Sequence, residues 1–182
     1  DVSKLKSIAV IGPNADQVQY GDYSYTKDNA SGVTILEGIK KIAKNHVKVN
    51  YAEGCGITNL DKSNIAKAVE VAEKSDVVVL VIGGTSSTLS GIGWGEDRKD
   101  DYPTCGEGFD RTTLNPPGVQ PELIQAIYET GKPIVMVMVH GRAYSIAWEK
   151  DNIPAILEAW YPGEQGGNAV ARILFGETVP SG

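Results

Sequence analysis

No run in this 182-residue chain is apolar for the roughly 20 residues that a membrane-crossing helix needs, so no membrane partner is expected. Nor is there a cluster of Lys and Arg, and the net charge is -6, which argues against nucleic acid as a partner. Cysteine is scarce: Cys55 and Cys105 are too few for a disulfide scaffold and too far apart for a compact metal motif. His46 and His140 are the only imidazoles, and neither has metal-like neighbours. A glycine does follow the first apolar run, in "GPNAD". The Gly-x-Gly-x-x-Gly spacing is missing, however, and Pro13 removes an amide donor, which excludes a nucleotide-phosphate turn. No metal or cofactor is therefore expected. Internal repeats and low-complexity tracts are absent as well. The chain opens on Asp1 with no signal-like segment, as a processed protein or an excised piece would.

What is present is a regular alternation. Five apolar runs, Ser7–Gly12, His46–Ala52, Val77–Gly84, Pro133–Gly141 and Pro154–Tyr161, are separated by amphipathic stretches. Several runs are nearly continuous in Val and Ile, as parallel strands covered on both faces require. Between them, Ile35, Ile39 and Ile42 share one helical face, and Ile65, Ala68, Val69 and Ala72 share another. Pro121 suits the first turn of a helix through Leu123, Ile124 and Ile127, which Gly131 ends. A last helix takes Ala169, Val170, Ile173 and Leu174 before Gly176. The expected fold class is α/β: one domain over residues 1–182, a doubly wound, mostly parallel sheet sandwiched by helices.

In such sheets function collects in the loops that leave the carboxyl ends of the strands. The loop after the third run is far longer than a compact domain usually carries, and Thr85 to Pro117 is expected to be functional and the least ordered part. Near its end stands "TCGEGFDR". Glycine flanks give Glu107 no packing, but they allow φ > 0 and let the side chain stand clear of the surface. From the residues alone, Glu107 is either a solvated loop carboxylate or a catalytic one. Glu96 in "GWGEDR" is its rival in the same loop. Tyr23, Tyr25 and Trp94 lie in strand-end loops, where aromatics stack on sugar faces or simply pack locally. Trp148 and Trp160 read as packing, His140 as a satisfied structural histidine, and Glu164 as a helix-start carboxylate.

Taken together, "IAVIGPNAD", "GEGFDRTTLNPPGVQPELI", "GKPIVMVMVHGRAYSIAW" and "AILEAWYPGEQGGNAVARILFGETVPSG" resemble the second domain of family 3 glycoside hydrolases. That family includes β-glucosidases and β-xylosidases, and the match runs in order along nearly the whole chain. Pro116 and Val179 depart from it, standing where Leu and Asn are usual. The resemblance implies an (α/β)6 sandwich, here without its last strand, preceded in the parent by a (β/α)8 barrel. It implies that the barrel carries an aspartate nucleophile and that the sandwich lends the acid/base glutamate. In the family pattern Glu-x-x-Asp-Arg-x-x-Leu, "EGFDRTTL" puts Glu107 at that place, with Asp110 and Arg111 anchoring the loop base. Partners would then be a β-linked oligosaccharide or glycoside and the barrel, with Tyr23, Tyr25 and Trp94 near the aglycone. Without the barrel the chain would be inactive. A stand-alone carbohydrate-binding or interaction module of the same fold is the alternative, and a flavodoxin-like binding domain rests on fold alone.

Cys55 and Cys105 follow the second and third runs. If both loops reach the same part of the sheet edge, a disulfide would tether the acid/base loop at its root, as suits an exported, secreted or periplasmic parent.

Overall fold

The computed structural model describes residues 4–24, 31–44, 46–86 and 102–181. Its strands are β1 (Ser7–Ile11), β2 (Lys48–Ala52), β3 (Val77–Gly83), β4 (Ile134–Val139) and β5 (Ala155–Glu158). All pair in parallel, in the order β2-β1-β3-β4-β5. The helices are α1 (Ile35–Ala43), α2 (Ile65–Glu73), α3 (Gln120–Tyr128), α4 (Ala147–Asn152) and α5 (Gly166–Leu174).

Alternation along each strand explains the two layers of helices. Ile8 and Val10 of β1, Val79 and Val81 of β3, and Val137 and Val139 of β4 face α1 and α5. Their neighbours Ala9 and Ile11, Val78, Leu80 and Ile82, and Met136 and Met138 face α2 and α3. Both faces are apolar, so a central strand cannot show polar alternation, and the runs read as continuous. α1 starts where Thr34 and Glu37 form a capping box, each side chain closing the other's backbone N–H.

The fold expected from the sequence is present, with strand limits within two residues of the apolar runs at most ends. α4 was not foreseen. It has six residues and shows too little periodicity to stand out. The order reverses between β1 and β3, because the chain steps from β1 to one side and returns to the other. That makes the carboxyl ends of β1 and β3 the topological switch point, where ligands of open α/β sheets bind.

Candidate functional site

The excursion after β3 is pinched shut at its root. Thr85 and Thr104 lie side by side: the Thr104 amide donates to the Thr85 carbonyl at 2.8 Å, and the Thr85 amide donates to Thr104 Oγ1 at 3.0 Å. Ser86 and Cys105 continue the pairing as a parallel bridge, and all four residues are buried. Gln120, wholly buried at the start of α3, locks the end of β3 from the other side. Its Nε2 donates to the carbonyls of Gly83 (2.7 Å) and Ile57 (2.8 Å), and its Oε1 accepts from the Gly83 amide at 2.8 Å. Three backbone groups that would otherwise be buried without partners are thus satisfied by one side chain.

Two residues beyond this neck the chain turns outward. Gly106 (φ +124°) and Gly108 (φ +81°) both occupy backbone regions that favour glycine, and the Phe109 amide closes the turn on the Gly106 carbonyl at 3.2 Å. The side chain between them, Glu107, is exposed. Arg142, in the loop after β4, donates through Nη2 to the Phe109 carbonyl at 2.7 Å and holds the far side of the turn. Arg111 donates to the Asn115 carbonyl at 2.8 Å and lies 5.1 Å above the Tyr144 ring, so it anchors the loop base, whereas Asp110 is exposed.

Three other strand-end loops converge on this turn. Tyr161, after β5, places its hydroxyl 2.9 Å from Cys105 Sγ, and Asp22, after β1, places Oδ2 3.9 Å from the same sulfur. Gly141 fits between them: a Cβ there would stand 2.6 Å from the Tyr161 ring and 2.9 Å from Cys105 Sγ. Burial pushes the Cys105 thiol above its ordinary value, and burial together with the sulfur contact pushes the Tyr161 phenol up. Both groups therefore stay protonated at neutral pH. Tyr23, from the loop after β1, donates its hydroxyl to Glu107 Oε2. That hydrogen bond is the main reason the Tyr23 phenol is held above its ordinary value.

His140, at the end of β4, is buried and stacked on Tyr144 with ring centroids 4.3 Å apart. Its Nε2 stands 3.0 Å from Glu158 Oε2 without hydrogen-bond alignment. The other oxygen of Glu158 accepts from the Trp160 amide at 3.1 Å. No group of three or more His, Cys, Asp or Glu side chains among the described residues could hold a metal ion.

The profile of the glycosyl hydrolase family 3 C-terminal domain matches residues 2–182. The chain belongs to that family. A β-xylosidase of Formosa agariphila is 43% identical across all of this chain and 24% of its own length. A periplasmic β-glucosidase of Salmonella typhimurium is 34% identical, again over the whole chain and 24% of its own length. Among solved structures, a β-glucosidase from Erythrobacter marinus superposes with a TM-score of 0.79 at 36% identity, covering 97% of this chain and 25% of that one. The chain therefore spans about a quarter of the length of these relatives.

Within this family 3 domain the structure brings together Glu107 and Tyr23. Tyr25, Trp94 and the rival Glu96 lie outside the described residues, as does the middle of the long loop, 87–101. Two expectations are corrected. Cys55 and Cys105 are not joined by a disulfide, and both are buried. Cys55 belongs to the core layer of α2 and α3 beyond edge strand β2, whereas Cys105 turns toward the loops after β4 and β5, on the other side of the sheet. Trp160 packs only in part: its ring lies 6.0 Å from that of His140, but at a left-handed backbone position (φ +51°) it is 59% exposed. Gln120 was missed, because a polar residue in a helix's first turn beside Pro121 looks like a solvated one.

Proposed function

We propose that this chain, residues 1–182, is the acid/base-bearing sandwich domain of a retaining β-glycosidase, either a β-glucosidase or a β-xylosidase. It acts on a β-linked oligosaccharide or glycoside together with a (β/α)8 barrel domain that supplies the aspartate nucleophile. The observation that carries this reading is the mounting of Glu107. A lone carboxylate stands on a two-glycine turn, two residues from a buried neck, at the strand-end edge of the sheet.

Retaining hydrolysis needs two carboxyl groups about 5–5.5 Å apart, one protonated and one ionised. In the first step the nucleophile attacks the anomeric carbon, and Glu107 gives its proton to the departing glycosidic oxygen. In the second step the Glu107 carboxylate takes a proton from the water that attacks the glycosyl–enzyme. A side chain that works in both senses gains from a hinge at its base and a fixed root behind it. On this reading the nucleophile belongs to the barrel, and the domain by itself is expected not to turn over aryl β-glycosides.

Exposed aromatic rings, Tyr23 at 80% and Trp160 at 59%, also favour a second reading, a non-catalytic carbohydrate-binding module. One experiment separates the two. In the full-length protein, Glu107→Ala is expected to slow a substrate with a poor leaving group by about 10²–10⁴-fold, and to spare one whose leaving group needs no proton. Equal rates on both substrates in wild type and variant would favour the binding module.

A further inference from the structure

We infer that Tyr23 is a positioning residue for Glu107: its hydroxyl holds the carboxylate in the free enzyme. The inference rests on the reading of Glu107 as acid/base and adds a partner to it.

The contact joins residues 84 positions apart and is built from both sides. Gly21 lies against the Tyr161 ring, where a Cβ would come within 3.3 Å of Cδ2, and Asp22 reaches the Cys105 sulfur. The loop after β1 is therefore docked on the same Tyr161–Cys105 pair that roots the Glu107 turn. Tyr23 itself sits at φ +61°, a backbone region that a bulky side chain rarely takes. Held in that conformation, the ring is 80% exposed, packs little, and spends its hydroxyl on Glu107. A ring that served only as a sugar platform would not need its hydroxyl aimed at the carboxylate.

The chemistry gives the contact a direction. A phenol keeps its proton at neutral pH and donates, and the bond is strongest to an ionised oxygen. Tyr23 supports the carboxylate that remains once the proton has gone to the leaving group, the state that must next take a proton from water. Tyr23 neither gains nor loses a proton in the cycle. Among the described residues, Asp22 lies beside Tyr23, and Cys105, Tyr161 and Arg142 lie behind the Glu107 turn.

The test is Tyr23→Phe in the full-length enzyme, read as kcat and KM on a substrate with a poor leaving group beside one whose leaving group needs no proton. Removing the donor is expected to lower kcat on the poor leaving group by about 3–10-fold, with KM unchanged because the ring stays and with the activated substrate spared. With Glu107→Gln already in place, Tyr23→Phe should change nothing further. Tyr23→Ala checks the ring separately. A Tyr23→Phe variant with wild-type kcat on both substrates overturns the inference, whatever Tyr23→Ala does to KM. If Glu107→Ala shows no dependence on the leaving group, the acid/base reading fails and this inference falls with it, so the two failures are distinguishable.

Discussion

The neck of the loop after β3 and the Glu107 tip that follows it are built on opposite principles, although Gly106 directly follows Cys105. At the neck, Thr85, Ser86, Thr104 and Cys105 are buried, and Gln120 satisfies the Gly83 amide and carbonyl and the Ile57 carbonyl. At the tip, Gly106 and Gly108 give up packing, and Glu107 has one exposed hydrogen bond. The proposed function would use both, because a catalytic arm on a loose root would lose its aim, and small misplacements of a reacting group are costly.

The division is broken most severely at Gln120. Gln120→Leu would leave the Gly83 amide and the Gly83 and Ile57 carbonyls buried without partners. We expect it to destabilise the domain by about 3–5 kcal/mol in denaturant titration, since each unsatisfied buried group costs about 1–3 kcal/mol and the costs do not add fully. Gly106 sits on the border, so it sharpens the comparison. Its φ of +124° is closed to side-chain-bearing residues. Gly106→Ala should cost about 1–3 kcal/mol and also slow turnover of unactivated substrates, because the turn that aims Glu107 must rearrange. A stability loss with no rate loss would separate the turn from the chemistry.

Asp76 is a control at the other end of the sheet. It accepts from the Lys6 and Ser7 amides at 2.7 and 2.9 Å, tying the start of β3 to the start of β1. Those amide bonds hold its carboxyl below the ordinary carboxylate value. The sign follows: with a depressed folded value, the stabilisation is present above the unfolded pKa of about 4 and is lost as pH falls through the folded value. Asp76→Asn should lower the midpoint slightly at pH 7 and not at all at the acid end, with activity untouched. It is the smallest effect of the three.

The strands and four of the helices could be read from the sequence because burial on both faces leaves continuous Val and Ile, and helix faces repeat at 3.6 residues. α4 was too short to show that repeat. The exposed, glycine-flanked turn at Glu107 could be read from Gly106 and Gly108, and the role proposed for it comes from the family pattern that follows. Its contact with Tyr23 could not be read, since a pairing across 84 residues depends on how two loops dock rather than on local spacing. Trp160 was misread in part for a related reason: its position beside a core strand says packing, yet at a left-handed backbone position it stays exposed. The conditional disulfide did not form although the two loops touch, the Tyr102 amide donating to Thr58 Oγ1 at 2.6 Å. Cys55 is instead taken into the core layer of α2 and α3, and Cys105 turns to Tyr161 and Gly141.

The most direct test of the central claim is the product formed by full-length Glu107→Ala in the presence of azide. Without Glu107 no base activates water, so the glycosyl–enzyme accumulates. Azide needs no base, attacks the anomeric carbon, and should restore turnover while releasing a β-glycosyl azide, with the denaturation midpoint unchanged from wild type. A variant that azide does not accelerate, and that yields no glycosyl azide, would contradict the assignment of Glu107 as the acid/base.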